Sequence, residues 1–196
     1  MPSGADAWQG TMRPPPPRRA DARRNRERLL ATARELFEER GAGVPLDEIA
    51  RRAGVGNATM YRHFPTRRDM IIAVYADEVE RLCAKGRDLL AAPSPWDALF
   101  GWLRDFIEHV AGKRELIMAI PDDHDGERSE LFERWHSAMN ATAAALLART
   151  GAPCDVRDLL AAAHGIALAA TDPEQAHRLL EYYRRGLIAT AAPSAS

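Results

Sequence analysis

The chain is poor in cysteine: 196 residues include two, Cys83 and Cys154, with neither CxxC nor zinc-finger spacing. That excludes a disulfide scaffold and a cysteine-based zinc module, and reads as a pair of free buried thiols in a reducing cytoplasm. No apolar run approaches the ~18–20 residues of a membrane span. The N-terminus has no apolar signal core either, since Trp8 stands alone among small and polar residues. The expectation is a cytoplasmic protein that touches no membrane. Nowhere do β-branched residues alternate with polar ones over the length of a strand, and no internal repeat is visible. A glycine-rich phosphate loop, a nucleophile elbow and an HExxH pair are all missing, so no catalytic residue, metal or cofactor is assigned. Asp122, Asp123, His124 and Asp125 hold ligand-type side chains, yet four consecutive residues cannot converge on one ion without tight turns. They read as a solvated loop ahead of the next helix.

What is present is globular: 46% hydrophobic and 28% charged residues, on a chain long enough to bury a core. The net charge of −1 conceals an asymmetry, because residues 1–70 carry 14 Arg/Lys against 9 Asp/Glu and the remainder 13 against 19. A basic N-terminal third on an acidic remainder suits a protein that meets a polyanion with one end.

Residues 46–67, LDEIARRAGVGNATMYRHFPTR, are the most informative stretch. Leu46, Ile49, Ala50 and Ala53 recur at helical spacing, and Gly54 stands where a left-handed residue ends a helix. Val55 plugs the corner, and Asn57 or Gly56 caps a second short helix. Met60 and Phe64, four apart, point back into a core. Thr59, Tyr61, Arg62 and His63 are left facing outward, groups suited to phosphates and base edges. This is the layout of a helix-turn-helix whose second helix enters the DNA major groove.

The pieces LLATARELFEERG, IARRAGV and ATMYRHF-x-x-R, within residues 28–67, resemble the DNA-binding domain of the tetracycline-repressor-like (TetR) family of transcriptional regulators. The resemblance implies that Asn57, Ala58 and Tyr61 reach base edges, and that Thr59, His63 and Arg67 hold phosphate oxygens. Arg62 suits either a guanine or a phosphate. One departure stands out. Where family members often place Ser/Thr and a basic residue at the start of the first motif helix, this chain has Val44-Pro45-Leu46-Asp47-Glu48. Asp47 and Glu48 would repel DNA if they faced it, and Arg51 and Arg52 are candidates to compensate.

The rest reads as helix throughout. Residues 1–22, with Pro14 to Pro17 followed by Arg18 and Arg19, read as a disordered basic arm. Residues 23–68 form the helix-turn-helix domain, its first helix running from about Ala22 to Arg40. Residues 69–196 form an effector-binding and dimerising bundle. Its expected helices are Arg67 to Ala91, Trp96 to Val110, a short one at Glu115–Ile120 beyond Gly112, Glu127 to Arg149, Asp155 to Ala170 and Pro173 to Ala191. The fold class is all α. Trp102, Phe106 and His109 are read as facing Trp135, His136 and Met139 across an apolar effector cavity, with plain core packing as the competing reading. The last two helices carry the stripes Leu159, Ala163, Ile166, Ala170 and Leu179/Leu180, Tyr183, Leu187, Ile188, offered as a homodimer surface. The function expected is that of a repressor, released from palindromic double-stranded operator DNA by a small-molecule effector. The alternative is a helical ligand carrier or enzyme with an incidental helix-turn-helix.

Overall fold

The structure, a computed structural model, describes residues 18–118 and 127–191. The acidic residues Asp122 to Asp125 and the arm up to Pro17 lie outside the described residues. The described chain forms eight helices: α1 Arg18–Arg40, α2 Leu46–Ala53, α3 Asn57–His63, α4 Arg67–Leu89, α5 Pro95–Met118, α6 Glu127–Ala148, α7 Val156–Ala169 and α8 Pro173–Ala191. Among the described residues there is no strand, and no helix is long and apolar enough to cross a membrane.

Two helices depart from the sequence expectation. α1 begins at Arg18, ahead of the apolar stripe that marks it from Leu29 onward. Its first turns are charged and carry no apolar signal, but pairs such as Arg24 with Asp21 and Arg23 with Glu27 (3.6 Å) run along them. α5 continues through Gly112 to Met118 as one helix rather than stopping near Val110. An isolated glycine costs a helix only about 1 kcal/mol relative to alanine, too little to break one whose preceding turns are buried.

Two hydrophobic cores result. The first joins α1, α2 and α3 through Leu29, Leu36, Ile49, Met60 and Phe64; the second occupies the bundle of α4 to α8. α4 belongs to both: Met70, Ile71 and Val74 pack in the first core, and Tyr75, Val79, Leu82 and Cys83 in the second. It starts sharply, because Thr66 and Asp69 form a capping box in which Thr66 Oγ1 accepts from Asp69 N (3.1 Å) and Asp69 Oδ2 from Thr66 N (2.9 Å). α1 is also clamped to α4 by Arg34, which pairs with Asp77 and lies 3.5 Å from Glu78. A displacement of α4 therefore moves the first core with it.

At the centre of the bundle Trp102 is fully buried and donates Nε1–H to Leu82 O at 2.9 Å. Gly86 leaves room for this indole: a Cβ there would stand 2.9 Å from Trp102 Nε1 and would overlap Thr142 Cγ2. Cys83 is buried as expected, whereas Cys154 is only half-buried.

Candidate nucleic-acid interface

The turn is built by a few backbone choices. Gly54 adopts φ 63° and ψ 36°, where any other residue is strained, and Val55 N donates to Ala50 O at 2.9 Å to close the corner. Gly56, rather than Asn57, is the N-cap of α3, and no side chain caps it. Asn57 is thereby left exposed.

α3 has seven residues, and Met60 is its one buried side chain. Phe64, just beyond it, is buried beside Met60, so the pair anchors the helix to α1 and α2. Asn57, Ala58, Tyr61 and Arg62 are exposed, and Thr59 and His63 half-buried. Tyr61 stands 44% exposed immediately after a residue at 0%. α1 contributes as well: Arg26 lies over the Phe64 ring at 5.7 Å, and Arg28 reaches Gly54, where a Cβ would come within 2.7 Å of its Nη2. These arginines border both ends of the motif. Neither belongs to the residues that the motif singles out, although the run RRNRER is a visible signal of a basic surface.

Of the two acids at the start of α2, Glu48 is paired with arginines. Glu48 takes Arg40 at 2.5 Å and Arg51 at 3.8 Å, and the hydrogen bond from Arg40 holds its carboxyl below the ordinary range. Arg52 does not compensate toward DNA as expected. It forks onto Glu39 of α1, with Nη1 to Oε2 and Nη2 to Oε1 both at 3.0 Å, and lies 3.8 Å from Glu35. Arg51 keeps an exposed side chain. Arg67, implied for phosphate, donates Nη1 to Ala42 O (2.7 Å) and Val44 O (2.6 Å), fixing the loop that leads into α2. The nearby Asp47 carboxylate, followed by desolvation, raises the Tyr61 phenol above its usual value against the pull of Arg67.

The residues expected to line an effector cavity separate. Trp102, Phe106, Trp135 and Met139 are buried in the continuous bundle core, with Trp102 and Phe106 stacked at 5.6 Å. His109 sits beside Tyr75 at 5.1 Å, its Nδ1 3.9 Å from Glu78 Oε2. His136 is a correction to the sequence expectation: it is exposed on α6, 6.3 Å from the Phe132 ring, and does not face His109 across a cavity. Adjacent residues on a helix point about 100° apart, and here the indole of Trp135 takes the inward place. A cleft of about 560 Å³ does open where α1, α4 and α5 meet, lined by Arg34, Glu38, Glu78, Arg81, Asp105 and His109 among others. Among the described residues no three His, Cys, Asp or Glu side chains gather as metal ligands.

A short helix held out on two apolar anchors, preceded by a glycine turn and bordered by arginines, defines a helix-turn-helix DNA-binding regulator. Comparison with known proteins agrees. Residues 29–74 match the description "Bacterial regulatory proteins, tetR family", and residues 94–189 match "Transcriptional regulator SbtR-like, C-terminal domain". The fold is similar to that of a TetR transcription regulatory protein from Mycobacterium vanbaalenii, at 37% identity and TM-score 0.70, with 87% of this chain and 99% of that chain covered. A TetR transcriptional regulator from Streptomyces coelicolor matches at 37% identity and TM-score 0.66 with the same coverage. An HTH-type transcriptional regulator of Staphylococcus aureus is 35% identical over 63 residues, 32% of this chain and 34% of its own length. The chain thus spans about a third of the length of that curated relative. The chain belongs to the TetR family of transcriptional regulators and is a DNA-binding regulator.

Proposed function

We propose that two copies of this chain form a homodimer that represses transcription in the cytoplasm by binding a palindromic operator. In each copy α3 lies in the major groove, with Asn57, Ala58 and Tyr61 toward base edges and Thr59, Arg62 and His63 toward the backbone, while Arg67 holds the loop ahead of α2. The observation that carries this reading is α3 itself, where Asn57, Tyr61 and Arg62 are exposed, Thr59 and His63 half-buried, and Met60 alone buried. A mobility shift on DNA flanking the protein's own gene tests it. The Tyr61→Ala, Arg62→Ala double variant is expected to lose binding, and full retention of affinity overturns the assignment of the reading helix.

The last two helices support the dimer, on a face that shares only Ile188 with the stripes read from sequence. Leu159 and Ala163 are buried within the chain, as are Leu180 and Leu187, whereas Leu168 (53%), Tyr182 (64%) and Ile188 (37%) are exposed. Exposed Ala161 and Gly165 on α7, and Gly186 on α8, allow close approach of a second helix pair. A Leu168→Glu, Tyr182→Glu variant is expected to sediment as a monomer and to lose operator affinity.

An effector acts by binding the DNA-incompetent arrangement more tightly, typically by ~1–3 kcal/mol. The packed aromatics favour the cleft between α1, α4 and α5 over the core at Trp102 and Trp135. An occupant there lies beside Arg34, which ties α1 to α4, and so biases the tilt of the reading head. Arg34→Gln is expected to weaken the response to inducer more than it weakens operator binding.

A further inference from the structure

We infer that Arg26 and Arg28 of α1 grip the DNA backbone on either side of the reading helix, as a two-point phosphate clamp that carries no sequence information. The inference rests on α3 being the reading helix. It adds two residues of the supporting helix α1 to a contact otherwise confined to the helix-turn-helix.

The N-terminal unit holds many arginines, and the structure separates those already engaged from those still available. Arg24, Arg34, Arg40 and Arg52 each face a carboxylate, and Arg67 donates to backbone carbonyls. Among the described residues Arg26 and Arg28 meet no carboxylate. Both side chains are exposed. A guanidinium without a carboxylate gives up no ion pair when it meets a phosphate, whereas Arg52 must first leave Glu39.

The fold sends the two side chains to opposite ends of α3. Residues two apart on a helix point about 200° apart around its axis, so Arg26 and Arg28 diverge. Arg26 lies over the Phe64 ring at 5.7 Å, just past the end of α3. That ring is 2% exposed and fixed in the core, and its face holds the guanidinium plane while the N–H edges stay free to donate. Arg28 lies against Gly54, ahead of α3, where a Cβ would come within 2.7 Å of its Nη2. Gly54 therefore serves twice: its positive φ closes the turn, and its missing side chain gives Arg28 room. The seven residues of α3 rise about 10 Å. Cations at its two ends are thus spaced on the scale of the major groove, about 12 Å wide between its two phosphate walls.

The test uses the full-length protein, an operator recovered by selection from randomised duplexes, and a scrambled duplex of the same length. Affinity is followed by fluorescence anisotropy from about 50 to 200 mM KCl, where each phosphate contact adds about 0.9 to the slope of log affinity against log salt. With two copies bound, Arg26→Gln and Arg28→Gln are each expected to flatten the slope by about 1.8. Over that range of salt the wild type then loses about 12-fold more affinity than either variant. The flattening is the same on operator and scrambled duplex, because both carry the same phosphates. Lysine at either position restores the slope. Arg23→Gln leaves it unchanged, since Arg23 is already paired with Glu27 at 3.6 Å. Thermal unfolding shows that each variant is folded. A wild type that selects an operator while both variants keep its slope overturns the clamp alone. Equal flattening by Arg23→Gln also overturns it, because the effect is then one of total charge, and so does a change confined to the operator. A wild type that selects no sequence overturns the reading of α3, and the clamp with it.

Discussion

In the N-terminal unit the buried side chains are aliphatic apart from Phe37 and Phe64, and the short α3 keeps Met60 for the core while Tyr61 stands outside. In the bundle the aromatic residues of α5 and Trp135 of α6 go the other way. Trp102, Phe106 and Trp135 fill the centre, and the exposed neighbour is His136. The contrast comes from helix length and surroundings. A seven-residue helix lying on two anchors buries one side chain per turn at most, whereas α5 and α6 are packed along most of their length against α4 and α7. An aromatic residue on a helix enclosed by neighbours is first a packing element; on a helix with one covered face it is free to recognise something else.

The sharpest way to break this contrast is Trp102→Ala. If the indole is core rather than a cavity wall, the variant loses about 3–5 kcal/mol of stability, read by urea unfolding. A ligand-lining indole would cost far less. Gly86→Ala probes the same contact from α4, where the new methyl collides with Thr142 Cγ2. Overpacking of this kind costs about 1–3 kcal/mol, and a Gly86→Ala, Thr142→Ser double variant should recover part of it.

The bundle should also respond to alkali. Burial, followed by the charge of Glu78, pushes Tyr75 from 10 up to about 12. Its pKa is higher folded than unfolded, so its contribution to stability is complete below pH 10 and disappears as pH rises toward 12. Unfolding midpoints measured across that window should fall, and Tyr75→Phe should flatten the fall.

Smaller effects belong to the N-terminal unit. Thr66→Ala removes one half of the capping box and should cost about 1 kcal/mol, detectable as a modest drop in thermal midpoint. Tyr61→Ala should change stability by no more than about 0.5 kcal/mol, although it removes a large aromatic side chain. A stability loss equal to that of a core aromatic would erase the distinction between the two regions.

Much of the first region is legible in the residue pattern alone. Leu46, Ile49, Ala50 and Ala53 are buried as their spacing requires, Gly54 takes the left-handed conformation, and Met60 and Phe64 turn inward. These are local or nearly local properties, set by helical period and by the absence of a Cβ. The charged side chains are less legible. Arg52 and Arg67 are of the type that grips phosphate, but the first forks onto Glu39 and the second holds Ala42 O and Val44 O. Long flexible cations take whichever acceptor the packed helices bring within reach, and no spacing along the chain encodes that distance.

The amino-acid order alone determined an all-helical chain with a glycine-cornered helix-turn-helix, because side-chain periodicity and backbone freedom act within a few residues. Tertiary structure decided the rest: that α5 runs on through Gly112, that His136 faces outward while Trp135 faces in, and that Arg52 turns to Glu39 instead of solvent. Each of these depends on how one helix is rotated against another. That rotation is chosen by the packing of the whole core, not by the segment that carries the residue.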